Sequence, residues 1–195
     1  MAKRIFIAVP ISEELQKGIL EWEKDFQSRF SLSKGQKENR GSSMAWPSGP
    51  VRWLSGKNLH ITIVPPWYED NIDKIAGKLK KVALKFEPFG IVFKRINYGP
   101  DPKKPHLIWA ENMPSKKMIE LKDESEKAMG TASDYHRWTM HLTLARFGPE
   151  TFSSFPVKKL DEIIYWPEKV DSLVIMESHL NPVEAEYETL EEVKF

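Results

Sequence analysis

The chain contains no cysteine. That excludes a disulfide framework and thiolate metal ligands, and it removes any pointer to secretion. No long hydrophobic run is present either. The opening "MAKRIFIAVPISEEL" has one short apolar stretch closed by Pro10. It is too short for a signal-peptide core with a cleavage site and far too short to span a bilayer. A cytoplasmic protein without membrane contact is expected. Charge of one sign is also missing: 29 Lys and Arg stand against 28 Asp and Glu, a net +1. No global field draws the chain to nucleic acid or lipid, so any such attraction must come from a local patch. What is present is ordinary for a globular protein, with 41% hydrophobic and 11% aromatic residues. The 195 residues suffice for one domain with a sizeable core, or for two small lobes sharing one.

Apolar periodicity organises the chain into alternating strands and helices. "RIFIAVP" reads as a strand ended by proline. Ser12 is placed to cap a helix whose apolar stripe is Leu15, Ile19, Trp22, Phe26 and Phe30. Residues 31–50, rich in Ser, Gly, Lys and Pro, carry no such period and predict a long loop. "VRWL" and "LHITIV" read as strands joined by a turn at Ser55-Gly56-Lys57-Asn58. Ile72, Ile75, Leu79, Val82 and Phe86 give a strong helix, and "FGIVFKRINYG" and "HLIWAE" two strands around the turn "PDPKKP". A weaker helix covers about 114–130, with Gly130 as its C-cap. "MHLTLARF" is a strand, and "VDSLVIMESHL" with "AEYETLEEVKF" closes the chain as an antiparallel pair. Many strands sit in hairpins, which favours an α+β fold with antiparallel sheets over a doubly wound parallel one.

Two of these strands share a skeleton. "LHITI" and "MHLTL" each place a histidine, an aliphatic, a threonine and another aliphatic in the same order. Alternate side chains of a strand share a face, so His60 with Thr62, and His141 with Thr143, oppose an aliphatic face that can be buried. A single histidine in a strand is most often structural. The repetition changes that balance, because neither strand needs an imidazole for burial. Two imidazoles can serve as a matched acid and base near neutral pH. The threonine hydroxyls and the fork of Arg146 suit phosphate oxygens. Arg146 stands at odd spacing from His141, so a twist, bulge or strand end must bring it to the same face. Zinc is the rival use of two histidines. It wants a third ligand, and His106, His136 and His179 show no ligand spacing, so no metal is expected.

With these residues in view, the chain resembles the 2H phosphoesterase superfamily. Within it the similarity is to the RNA 2′,3′-cyclic phosphodiesterases, also known as 2′-5′ RNA ligases. "RIFIAVPISEEL" is similar to the family's opening strand and helix, "VRWLSGKNLHITIV" to its first signature and "MHLTLARF" to its second. The resemblance covers nearly all of 1–195 and implies a single bilobal domain. That domain would have two pseudo-symmetric lobes, each an antiparallel sheet with flanking helices, around a central cleft. It implies that His60 and His141 are catalytic, that Thr62, Thr143 and Arg146 hold phosphate, and that neither metal nor cofactor is used. There are departures. Val64-Pro65-Pro66-Trp67 stands where the family has Phe-Leu-Gly, leaving Trp67 to supply stacking, and Met140 stands where a proline is usual.

The reaction so implied is hydrolysis of an RNA 2′,3′-cyclic phosphate end to a 2′-phosphate. His141 would activate water and His60 protonate O3′, or the reverse. The same site run backwards would be a 2′-5′ RNA ligase, and a site without turnover would be an RNA-end binding module. The expected partner is an RNA end or nucleotide bearing a cyclic phosphate, met by a monomer. Lys34, Lys37, Arg40, Lys57, Lys103 and Lys104 are candidates for the local positive charge, and Trp46 and Trp67, beside prolines in loop-like surroundings, for base stacking.

Overall fold

The computed structural model describes residues 2–32, 51–54, 56–131, 138–153, 155, 157–180 and 185–195. The expected loop therefore lies largely outside the described residues, with Lys34, Lys37, Arg40 and Trp46, as does His136. The chain runs β1 (Lys3–Pro10), α1 (Glu13–Leu32), β2 (Arg52–Trp53), a 3₁₀ turn (Gly56–Asn58), β3 (His60–Glu69), α2 (Ile72–Ala83), β4 (Phe89–Gly99) and β5 (Leu107–Asn112). It continues through α3 (Lys116–Met129), β6 (Met140–Arg146), α4 (Pro149–Phe152), β7 (Asp161–Val170), β8 (Ser172–Leu180) and β9 (Ala185–Lys194).

Two antiparallel sheets result. The first has the order β3-β1-β8-β9, the second β2-β6-β5-β4-β7. This is the α+β arrangement expected, with one histidine strand in each sheet. β2 and β3, adjacent in sequence, belong to different sheets. β2 pairs with β6, and the 3₁₀ turn, with Gly56 at φ 49°, carries the chain across to pair with β1. One continuous apolar core joins the sheets, drawing Ile5, Ile7 and Val9 from β1, Ile61 and Ile63 from β3, and Leu142 and Leu144 from β6. Each such side chain removed from water contributes about 1.5–3 kcal/mol.

The helices form where local signals agree with that core. Ser12 Oγ accepts from Leu15 N at the start of α1, and α1 extends to Leu32 because Ser31 and Leu32 contain no breaker. Asn71 caps α2, which buries Ile75, Leu79 and Val82. Ser115 caps α3, which ends at Gly130 in the left-handed region, φ 74°. α2 and α3 pack on each other, with α2 against β8 and β9 and α3 against β3, while α1 lies on β7.

Two strand boundaries differ from the sequence expectation. β3 continues through Pro65-Pro66-Trp67 to Glu69. It is an edge strand, so prolines cost it no ladder on its open side, and extra residues are absorbed by bulges between Ile5 and Ile7 and between Ile7 and Ala8 of the paired β1. Trp67 is thus in a strand and not a loop. β7, "DEIIYWPEKV", is a strand that the sequence pattern does not predict. It too is an edge, with exposed Asp161, Ile163 and Tyr165 alternating with half-buried neighbours. Its acidic residues and Pro167 hide the pattern.

Candidate active site

On β3, Ile61 and Ile63 are fully buried while His60 and Thr62 are half-buried on the other face. On β6, Met140, Leu142 and Leu144 are buried, and His141 and Thr143 are half-buried opposite them. The two strands pack against each other across the sheets. Each ring is anchored in the same way: Nδ1 of His60 donates to the carbonyl of Asn58 at 2.9 Å, and Nδ1 of His141 to that of Thr139 at 2.9 Å. A carbonyl only accepts, so Nδ1 keeps its proton and Nε2 is left as the basic nitrogen of both rings.

A bulge brings Arg146 round. Thr143 pairs with Trp109 and Ala145 with Ile108, so Leu144 is an extra residue in β6. That insertion shifts the alternation by one, as the consecutive burial of Leu144 and Ala145 attests. Arg146 thereby joins the face of His141 and Thr143, and its charge acts on both histidines. Its Nη2 donates to the phenol oxygen of Tyr187, on β9 of the other sheet, at 3.1 Å. Asn58 completes the link, since its Oδ1 accepts from Tyr187 N at 3.3 Å while its carbonyl orients His60.

Aromatic groups wall the rings. His60 lies 4.9 Å from Phe6 and 5.0 Å, edge-on, from Tyr187. His141 lies 4.6 Å from Trp109, whose indole covers Gly99 so closely that a Cβ there would be 2.4 Å from Trp109 Cε2. Burial is the main reason both histidines resist protonation. His60 is pushed down to about 4; its hydrogen bond to Asn58 opposes the shift, and Arg146 and His141 add to it. His141 is also lowered by burial and Arg146, but besides its carbonyl bond it has Glu111, directly opposite on β5, to favour the imidazolium. Glu111 is itself held by Asn97 Nδ2 at 2.8 Å.

Of the residues named from sequence, the structure groups His60, Thr62, His141, Thr143 and Arg146. It does not bring Trp67 to them. Trp67 pairs with Ile5, a core residue, and packs against the core on the opposite face of the sheet from Thr62, which pairs with Ala8. Lys103 and Lys104 are exposed in the turn before β5, at the end of the second sheet where Leu107 pairs with Arg146; the side chain of Lys57 lies outside the described residues. Sequence reasoning missed Phe6, Asn58, Trp109, Glu111 and Tyr187. Their roles arise from cross-strand register, which leaves no local pattern. It missed Arg52 as well, although Arg52 pairs directly with Arg146. Among the described residues one group could hold a metal ion: Glu177, His179 and Glu188, with ligand atoms within 4.8 Å of one another. It contains neither site histidine, and Glu177 is already bound by Lys3 Nζ at 2.7 Å. Among the described residues, no helix is long and apolar enough to cross a membrane.

Solved structures share the fold along its whole length. A protein of Thermus thermophilus superposes with TM-score 0.65 at 18% identity, covering 98% of this chain and 97% of that one. The E. coli LigT structure in complex with 3′-AMP gives 0.62 at 17% identity, covering 100% and 98%. A curated Bacillus subtilis (strain 168) protein, "RNA 2′,3′-cyclic phosphodiesterase", is 28% identical over 100 residues, 49% of this chain and 55% of that protein, so the match spans about half of the relative's length. The family model described as the 2′-5′ RNA ligase superfamily matches residues 51–182, a span that holds both histidine strands and Arg146. The chain belongs to the 2′-5′ RNA ligase superfamily of phosphoesterases.

Proposed function

We propose that the protein hydrolyses RNA 2′,3′-cyclic phosphate ends to 2′-phosphates, using His60 and His141 as an acid–base pair without a metal. The carrying observation is the convergence of two imidazoles, each fixed through Nδ1, around one guanidinium whose charge reaches both. A cyclic phosphate carries one negative charge. Arg146 suits its non-bridging oxygens, and Thr62 and Thr143 offer hydroxyl donors from the same faces. Water attacks phosphorus as one Nε2 takes its proton; the P–O3′ bond breaks as the other Nε2–H protonates O3′. The product is a 2′-phosphomonoester with a free 3′-hydroxyl, and solvent returns both rings to their starting states.

The sequence left the order of roles open. Glu111 favours His60 as base and His141 as acid. His60 is neutral across the physiological range, whereas the imidazolium of His141 has a carboxylate opposite it. The name of the Bacillus subtilis relative and the 3′-AMP bound by E. coli LigT support a nucleotide phosphoester as substrate. The family's ligase name supports a second reading, the same steps reversed, in which a 5′-hydroxyl replaces water and the supply of ends sets the direction.

The test is incubation with 2′,3′-cyclic AMP in excess EDTA, with the isomers of the product resolved. The reading expects 2′-AMP at a rate unchanged by the chelator. Product that is 3′-AMP, or turnover abolished by EDTA and restored by a divalent ion, overturns it.

A further inference from the structure

We infer that Arg52 forms a second anion position, for the phosphodiester neighbouring the reacting phosphate, so that the preferred substrate is an RNA strand end rather than a mononucleotide. This rests on the phosphoesterase reading above and extends it. Arg52 on β2 is paired in register with Arg146 on β6, and the next pair is Trp53 with Ala145. Directly paired residues project from the same face. Trp53 is packed into the core against Trp22 and Phe26, so Arg52 projects from the opposite face, the one that carries His141, Thr143 and Arg146. Both arginines are exposed. Two like charges directly opposite in a sheet are unfavourable, and among the described residues no carboxylate forms an ion pair with either. An anion between or beside them removes that cost.

The two cations are not equivalent. Arg146 is drawn toward the first sheet by Tyr187 and acts on both histidines. Arg52 is not among the charges that act on either ring. Arg146 therefore belongs to the phosphate that the histidines share, and Arg52 lies one strand spacing further out, about 5 Å. That offset suits the next phosphate of a nucleic-acid backbone, not a second hold on the first. Lys103 and Lys104 stand at the same end of the sheet, on the other side of Arg146 from Arg52, and add positive charge there. A cyclic mononucleotide has no phosphate to place there; an oligonucleotide has.

The experiment compares wild type and Arg52→Gln on two substrates, 2′,3′-cyclic AMP and a trinucleotide ending in a 2′,3′-cyclic phosphate. In parallel, fluorescence anisotropy measures binding of a labelled trinucleotide 2′-phosphate in competition with 2′-AMP. The expected result is a roughly tenfold larger rise in KM and Kd for the trinucleotide than for the mononucleotide, with kcat nearly constant. The salt slope of trinucleotide binding should fall by about 0.7, as for loss of one single-strand phosphate contact. Arg52→Lys should recover part of the affinity. Equal losses on both ligands, or no loss on either, overturn the assignment. Circular dichroism and the melting temperature of the variant identify an equal loss that comes from misfolding, and Arg52→Lys then decides: it must discriminate between the two ligands as wild type does. If wild type turns over neither substrate, the hydrolase reading fails, and the anisotropy arm still decides the fate of Arg52.

Discussion

Acidification should destabilise the protein through His60 in a way that can be isolated. Burial lowers this imidazole from 6.5 to about 4 in the folded state. The unfolded chain takes up the proton near pH 6.5, whereas the folded chain takes it up only near pH 4. The stability that His60 contributes is therefore complete above pH 6.5 and is lost as pH falls toward 4. The shift from 6.5 to about 4, at about 1.36 kcal/mol per unit, corresponds to about 3.4 kcal/mol in full and about 2.5 kcal/mol at pH 4.5. His60→Asn removes the titration while leaving an amide that can donate to the Asn58 carbonyl as Nδ1 does. Urea unfolding followed by tryptophan fluorescence at pH 7.5 and 4.5 gives the comparison. Other titrating groups act on both proteins alike, so wild type should lose about 2.5 kcal/mol more than the variant, or about 1 M in urea midpoint. If the two proteins lose the same stability between these pH values, His60 is not held neutral by the fold and its assignment as resting base falls.

Three further outcomes follow from the same geometry. Glu111→Gln removes the carboxylate opposite His141, so the imidazolium is less favoured and its pKa falls further; the alkaline limb of the kcat/KM profile should move to lower pH, and an unmoved limb would deny His141 the role of acid. Tyr187→Phe deletes only the oxygen that Arg146 Nη2 reaches at 3.1 Å; inhibition by 2′-AMP should weaken severalfold and Arg146→Ala should cost less in that background than in wild type, whereas additive losses would show that the phenol does not position the guanidinium. Gly99→Ala would place a Cβ against the Trp109 indole; a loss of about 1–3 kcal/mol in thermal or urea unfolding is expected, together with altered ring-current shifts at His141, and wild-type stability would contradict the packing.

How much of this could be read beforehand follows from the range of each signal. The histidine strands were legible because alternation and a repeated skeleton are local, and so were the helix caps Ser12 and Gly130, whereas the cap Ser115 shows only in its hydrogen bond to Met118 N. The need for a bulge to turn Arg146 could be stated from its spacing, but the bulge itself sits at Leu144, an ordinary strand residue, and shows only in the pairing with β5. Trp67 looked loop-like beside two prolines; the edge position of β3 tolerates them, and the register that pairs Trp67 with Ile5 sets the indole against the core. β7 was invisible because an edge strand with one half-buried face and several acids lacks apolar alternation. Arg52, Glu111, Trp109 and Tyr187 owe their places to strand neighbours distant in sequence, where no periodicity points.

The direct test of a shared acid–base pair is the kcat/KM of His60→Asn, His141→Asn and the double variant on a 2′,3′-cyclic phosphate substrate. Each single variant should lose about 10³-fold or more, and the double variant little beyond the worse single one, because removing either ring disables the unit. Losses that multiply, or a single variant that keeps wild-type turnover, would mean that the two histidines do not act together on one phosphate.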